Sequence, residues 1–249
     1  MNLKLVIEYD GTDFCGWQLQ PGQRSVQGEM ENAIAALTGQ TVRLHGAGRT
    51  DSGVHALAQV ANCQLETKIP PGRFAAALNP LLPSDVKVLS AEAVSDSWHA
   101  RFSAQGKVYV YRLLLSPSPR PLARHRAYRL PPNLDLDAIE RALPLFVGRH
   151  DFRAFAAKGS SALTTERTIT RAELTRRGEQ CDLVFSGDGF LYHMVRIIVG
   201  DLVSVALGKL TTQDIASALA TGYRSRPPVT APAQGLYLVE VIYDDEPLC

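Results

Sequence analysis

From Leu3 to Tyr9 the chain places Leu3, Leu5, Ile7 and Tyr9 at every second position, with Lys4 and Glu8 between them, and Gly11 and Thr12 stop the run. A period of two predicts a strand with one buried face. The period then changes. Val26, Met30, Ala33, Ile34 and Leu37 fall at helical spacing behind Ser25, a residue suited to cap, and Gly39 ends the segment. Strands are predicted near 42–45, 57–65 and 86–94, with a short helix over 73–78 before Asn79 and Pro80. The first half therefore reads βαββαβ. The second half repeats that order less tidily: a strand at 108–115, a helix at 136–147, strands at 169–175 and 181–186 turning at Arg177 and Gly178, an apolar helix at 191–207, another at 212–221, and a closing strand at 236–243.

Two such units predict an α+β protein: two ferredoxin-like βαββαβ halves with antiparallel sheets, joined around a central cleft. The boundary is expected at Gln105 and Gly106, giving residues 1–105 and 106–249. Prolines in the 116–121 stretch and at Pro131 and Pro132 bracket what reads as a surface loop.

Length and composition narrow the class. A chain of 249 residues, 45% hydrophobic and 20% charged, can bury a full core without disulfides. Its four cysteines, Cys15, Cys63, Cys181 and Cys249, are far apart and form no C-x-x-C pair, which excludes a zinc ribbon or thioredoxin motif and points to reduced thiols in a cytoplasm. The first residues lack the layout of a signal peptide, and the most apolar stretch, 194–207, is interrupted by Arg196 and Asp201 and is too short to span a membrane.

Net charge is only +1, yet its distribution is uneven. Between Asp96 and Asp135 there is no acid, while Arg101, Lys107, Arg112, Arg120, Arg124, Arg126 and Arg129 are all cationic. The end of the chain is acidic, with Glu240, Asp244, Asp245 and Glu246. Of 26 cations 20 are arginine, whose planar fork suits phosphate.

Three segments carry candidate chemistry. Residues Gly46 to Ala56 crowd small and polar residues into a turn between strands. Gly48 and Gly53 have P-loop spacing, but Val54 and His55 stand where Lys and Ser or Thr are needed, and the dinucleotide fingerprint fails as well. What remains is Arg49-x-Asp51, whose ends face the same way on an extended backbone. An aspartate titrates near about 3.9, and a neighbouring guanidinium favours the anion further, which suits a nucleophile or cation stabiliser. An Asx-turn with an ordinary salt bridge explains the same residues. In the second segment, His99 to Ser103 leads into Lys107, Tyr109 and Tyr111 on one strand face, a basic and aromatic surface able to stack a base and hold a phosphate, or in part ordinary core. The third is Arg196 on an otherwise apolar helix, which requires an anion: Asp51, or else Asp188 or Asp201. His193 reads as a packed or capping histidine, and no metal-ligand spacing surrounds it.

Together these segments resemble the tRNA pseudouridine synthase A family. The likeness runs through Glu8 to Gly11, Gly16 to Gln18, Gly48-Arg-Thr-Asp-Ser-Gly-Val-His55, His99 to Ser103, Phe190 to Gly200 and Ala233 to Leu238. Ser52 stands where alanine is common in the family. The resemblance implies an isomerase converting uridine to pseudouridine at positions 38, 39 and 40 of the tRNA anticodon stem-loop, with no cofactor or metal. It implies Asp51 as the catalytic aspartate, Arg49 beside it, Arg196 paired with it and Tyr109 packed on the target base, with Lys107, Arg101, Arg124 and Arg126 as further RNA contacts. It also implies a cytoplasmic homodimer with tRNA as partner and no membrane association. Two other classes share some of these features. A non-catalytic RNA-binding module would use the same surface, and a carboxylate glycosidase would need a second acid that the motifs do not offer.

Overall fold

The computed structural model describes residues 1–159 and 162–244. The chain forms two compact units, one from Met1–Gln105 together with the segment beginning at Tyr237, the other from Gly106–Leu236. Cys249, Asp245 and Glu246 lie outside the described residues.

The first unit follows the order its pattern predicts: β1 (Asn2–Tyr9), α1 (Val26–Thr38), β2 (His45–Gly46), β3 (His55–Gln64), α2 (Pro71–Leu78) and β4 (Val86–Val94). β1 lies antiparallel between β3 and β4, so that Leu5 faces Ala61 on one side and Ala91 on the other. β2 takes the far edge of β3, with His45 opposite Asn62. This is the 4-1-3-2 order of a split βαβ unit. The alternating face of β1 is the core face: Leu3, Leu5 and Ile7 are fully buried, as are Met30 and Ile34 of α1 and Phe74 and Leu78 of α2. Each such side chain contributes about 1.5 to 3 kcal/mol by leaving water. The caps read from the sequence of α1 are present. Ser25 Oγ accepts from Gly28 N at 3.2 Å, and Gly39 closes the helix in the left-handed region at φ 74°.

The second unit contains β5 (Ala104–Leu115), β6 (Tyr128–Leu130), α3 (Leu136–Ala142), β7 (Gly148–Asp151), β8 (Glu166–Arg177), β9 (Gln180–Gly187), α4 (Met194–Ala206) and α5 (Thr212–Thr221). β5, β9, β8 and β7 form an antiparallel ladder in that order, and Gly178, at φ 63°, lets β8 turn into β9. α5 carries a full capping box between Thr211 and Asp214.

Several features depart from the pattern. The expected helix 136–147 stops at Ala142 and tightens into a 3-10 turn over Leu143–Phe146, because Pro144 has no N–H to return to the preceding turn. α4 starts at Met194, since His193 adopts φ 60° ahead of it. The proline-bracketed loop after β5 holds a 3-10 turn at Pro121–Ala123 and then β6, which runs parallel to residues Leu113–Leu115. The last strand, β10 (Leu236–Tyr243), pairs in parallel with β3 through Tyr237 opposite His55 and Leu238 opposite Ala56. Residues 237–244 thus belong to the first unit, although the chain order placed them with the second half. No helix among the described residues is long and apolar enough to cross a membrane.

Candidate active site

The segment between β2 and β3 is fixed along its length. Ala47 N donates to Val60 O at 2.7 Å, and Gln59 Nε2 donates to Gly48 O at 2.9 Å. Thr50 turns inward, 7% exposed, where its Oγ1 shares a 2.7 Å hydrogen bond with the Tyr9 hydroxyl. Burial pushes the Tyr9 phenol up to about 12, so it keeps its proton as a hydrogen-bonding group. Arg49 and Asp51, on either side of buried Thr50, both reach the surface: Arg49 is exposed and Asp51 half-buried. That is the alternation an extended Arg-x-Asp requires.

The backbone at Asp51 is held from a second direction by residues 35 positions earlier. Gly16 and Asp51 form an isolated antiparallel bridge, and Trp17 N donates to Thr50 O at 3.0 Å. Val54 N closes the turn on Asp51 O at 3.1 Å, with Gly53 at φ 77°. Ser52 Oγ donates to Phe14 O at 3.1 Å, a bond that alanine could not make. The 15–17 strip is itself tied to the first turn of α1: Val26 N donates to Gly16 O and Gln27 N to Trp17 O, at 3.2 and 3.0 Å. Close approach needs glycine here. A Cβ on Gly46 would lie 2.6 Å from the Trp17 ring, and one on Gly11 would run into the Val54 carbonyl. His55, at the start of β3, is buried and stacks on Tyr237 at 4.7 Å between ring centroids.

In the second unit β5 presents Lys107, Tyr109 and Tyr111 opposite Gly187, Phe185 and Leu183. The two tyrosines divide in role. Tyr111 is fully buried, its hydroxyl donates to Pro232 O at 2.6 Å, and its ring covers Gly235, so it is core. Burial raises its phenol pKa, and the nearby Arg196 charge acts in the opposite sense. Tyr109 is 7% exposed and meets Phe190 edge-on, with centroids 5.1 Å apart. Lys107 is half-buried.

Arg196 is half-buried on α4, and its Nε donates to Ala231 O at 2.8 Å. Asp201, one of its candidate anions, is taken by another residue. Arg224 pairs with Asp201 through both of its terminal nitrogens, donating to Asp201 Oδ1 from Nη1 at 3.1 Å and to Asp201 Oδ2 from Nη2. Asp188, another of them, accepts from Thr168 N at 3.0 Å. His193 holds the N-cap position of α4 without a side-chain cap bond, and its ring packs on Tyr192.

Of the remaining candidates, Arg101 is exposed in the first unit, on the turn from His99 to Ser103. Arg124 and Arg126 are exposed in the second, Arg124 near the 3-10 turn with its guanidinium directed at Pro121 O, 3.4 Å away. Sequence reasoning passed over Tyr9, Gln59 and the 14–17 strip as supports of the Asp51 loop. The available signal was Gln59, a polar amide set between the apolar Ala58 and Val60 and fully buried in the fold.

Comparison with known proteins follows the same segments. A family model described as tRNA pseudouridine synthase matches residues 5–103 and 142–244. The tRNA pseudouridine synthase A of Acetivibrio thermocellus is 48% identical over 242 residues, 97% of this chain and 99% of that protein. The protein of the same name from Rhodopseudomonas palustris is 45% identical over 97% of this chain and 98% of its own length. That from Caldicellulosiruptor bescii is 43% identical over 97% of this chain and 99% of its own. Among solved structures, a chain of a Cbf5-Nop10-Gar1 complex aligns over 96% of this chain and 59% of its own, at 12% identity and a TM-score of 0.38.

Proposed function

This chain belongs to the tRNA pseudouridine synthase family, and we propose that it isomerises uridine at positions 38, 39 and 40 of the anticodon stem-loop, with Asp51 as the nucleophile. The family makes it an isomerase acting on tRNA. In that reaction the N1–C1′ bond breaks, the uracil turns while held, and C5 bonds to C1′. C5 gives up its hydrogen and N1 gains one, so no atom is added or removed. A carboxylate serves this chemistry by attacking C1′ or C6, or by steadying an oxocarbenium-like centre.

The observation that carries the reading is the double clamp on Asp51, from Gly16 and Trp17 on one side and from Val54 and the Thr50 hydroxyl on the other. A nucleophile must be held in place before the substrate arrives, and rigid backbone at this one residue provides that. Arg49 and Arg196 are assigned the positive charge that attracts and aims the reacting carboxylate. Tyr109 is assigned the stack on the target ring, a contact worth about 1 to 3 kcal/mol in single-strand binders, and stands as the candidate to move a proton. The base must first leave its own stack at a cost of a few kcal/mol, and Lys107, Arg101, Arg124 and Arg126 are assigned the phosphate contacts that offset it. The reading extends to a cytoplasmic homodimer.

The test is to incubate the protein with unmodified tRNA and map pseudouridines. Asp51→Asn is expected to abolish their formation while tRNA binding survives. Loss of both together would make Asp51 a structural residue and end the proposal.

A further inference from the structure

Six residues before Asp51 the chain passes through His45, where a run of aromatic rings begins that the reaction leaves unused. The His45 and His99 rings lie 5.0 Å apart, and His99 and Phe102 4.4 Å apart. Phe102 is 76% exposed, and the Arg101 guanidinium sits 5.8 Å from its ring. A phenylalanine this exposed costs solubility and contributes little to a core.

The turn that carries Phe102 is nevertheless rigid. Ser103 N donates to His99 O at 2.9 Å, His99 N to Ser103 Oγ at 3.1 Å, and Arg101 N to His99 Nδ1 at 3.0 Å. Ala100, at the centre of the turn, is fully buried. Its N–H donates to Asn62 Oδ1 at 3.0 Å, and its carbonyl accepts from the Tyr243 hydroxyl at 2.7 Å. Asn62 is the residue opposite His45 in the β2–β3 register, so the turn and the first ring of the run share one anchor. Because His99 Nδ1 accepts an N–H, the ring beneath Phe102 is neutral, with its proton on Nε2. Burial, then His45 and Arg101, lower its pKa in the same sense.

A flat apolar ring, presented rigidly with an arginine beside it, matches a nucleobase and its phosphate. A protein partner would require a broad apolar patch, whereas Arg101 and Gln105 on the same stretch are exposed and polar. Flipping one base out of a stem-loop leaves its neighbours without a stacking partner, and an aromatic ring on the enzyme can replace what they lose.

We propose that Phe102, backed by His99 and His45 and flanked by Arg101, is a stacking platform for one unpaired base of bound tRNA other than the uridine being isomerised. This rests on the reading of the chain as a tRNA-modifying enzyme. The platform acts on binding: it lowers the dissociation constant without entering the chemical step.

The experiment measures equilibrium binding of an unmodified tRNA transcript to the full chain at several salt concentrations, for wild type, Phe102→Leu, Phe102→Trp and Arg101→Gln. Phe102→Leu is expected to weaken binding about 5- to 150-fold, the range for removal of one base stack, with an unchanged salt slope and melting temperature. Arg101→Gln is expected to flatten the slope by about one unit. Phe102→Trp is expected to bind like wild type, and its added indole emission to be quenched by tRNA above the background of Trp17 and Trp98. Wild-type binding by Phe102→Leu, or an indole that tRNA does not quench, overturns the platform and leaves that surface to a different partner. Pseudouridine mapping on the same wild-type samples keeps the two claims apart. A protein that stacks tRNA on Phe102 yet forms no pseudouridine sinks the enzymatic reading alone.

Discussion

A side chain at position 16 would place its Cβ 2.5 Å from the Thr50 carbonyl oxygen, on a backbone already at φ 110°. Neither problem is relieved by rotating a side chain, because the obstacle is backbone and the backbone is what positions Asp51. Gly16→Ala should therefore cost about 1 to 3 kcal/mol, the range for strained φ and overpacking. In a chain of this size that is a fall of roughly 2 to 12 °C in melting temperature, read by calorimetry. Pseudouridine formation should fall further than tRNA affinity does, since the bridge from Gly16 governs the aspartate and not the basic surface. An equal fall in both would show that the strip merely supports the fold. At this scale the sequence was legible in part. Arg-x-Asp on extended backbone is a local pattern, and burial of Thr50 between two surface residues follows from it. The strip from Phe14 to Trp17 was not legible as a clamp, because its partners, Thr50, Asp51 and Ser52, are far along the chain and no local periodicity encodes that pairing.

Among the elements, those with a strong period and a cap were legible. β1 alternates, α1 lies between Ser25 and Gly39, and α5 between Thr211 and Gly222. β6 and β7, of three and four residues, are too short to show a period. α4 shows what an apolar run conceals. It carries Asp201, 3% exposed, whose carboxyl pKa is raised by burial and pulled down by Arg224. Arg224 in turn donates to Ala154 O and lies 4.6 Å over the Phe155 ring. Replacing one partner leaves a buried charge unmatched, so Arg224→Met should destabilise the fold by about 3 to 5 kcal/mol, and Asp201→Leu added to it should recover part of that stability. The sign of the pH effect follows. With Arg224 gone, the folded carboxyl pKa stands above its unfolded value. The folded state then binds more protons, and stability falls as pH rises from the unfolded pKa through the folded one. The melting-temperature gap between wild type and Arg224→Met should be wider at pH 8 than at pH 5. A gap independent of pH would mean that the missing packing on Phe155, and not the carboxylate, sets the cost.

Across the whole molecule the charges nearly cancel, so affinity for a polyanion has to come from where the cations sit and which of them are already engaged. Of the seven cations between Asp96 and Asp135, Arg120 donates to both Glu179 oxygens at 3.0 and 2.8 Å, and Arg112 lies 3.7 Å from Asp182. Arg129 reaches the Ser116 carbonyl. Arg124 and Arg126 are exposed at the tip of the same excursion, and the Arg124 guanidinium meets a neutral carbonyl at the long distance of 3.4 Å. A cation already neutralised by a carboxylate releases fewer counterions from RNA than one that meets only a neutral carbonyl, so Arg120 and Arg124 should contribute unequally to salt dependence. Replacing Arg124 and Arg126 together with glutamine should weaken tRNA binding and flatten the plot of log affinity against log salt by roughly one unit for each phosphate that is no longer neutralised. Arg120→Gln, by the same argument, should change the slope little and also leave Glu179 without its partner. Measured on full-length tRNA between low and physiological salt, an unchanged slope in the double variant would remove this excursion from the interface and shift the ionic contribution to Arg101 and Lys107. A larger drop in affinity from Arg120→Gln than from the pair would mean that the Glu179 ion pair opens when RNA binds.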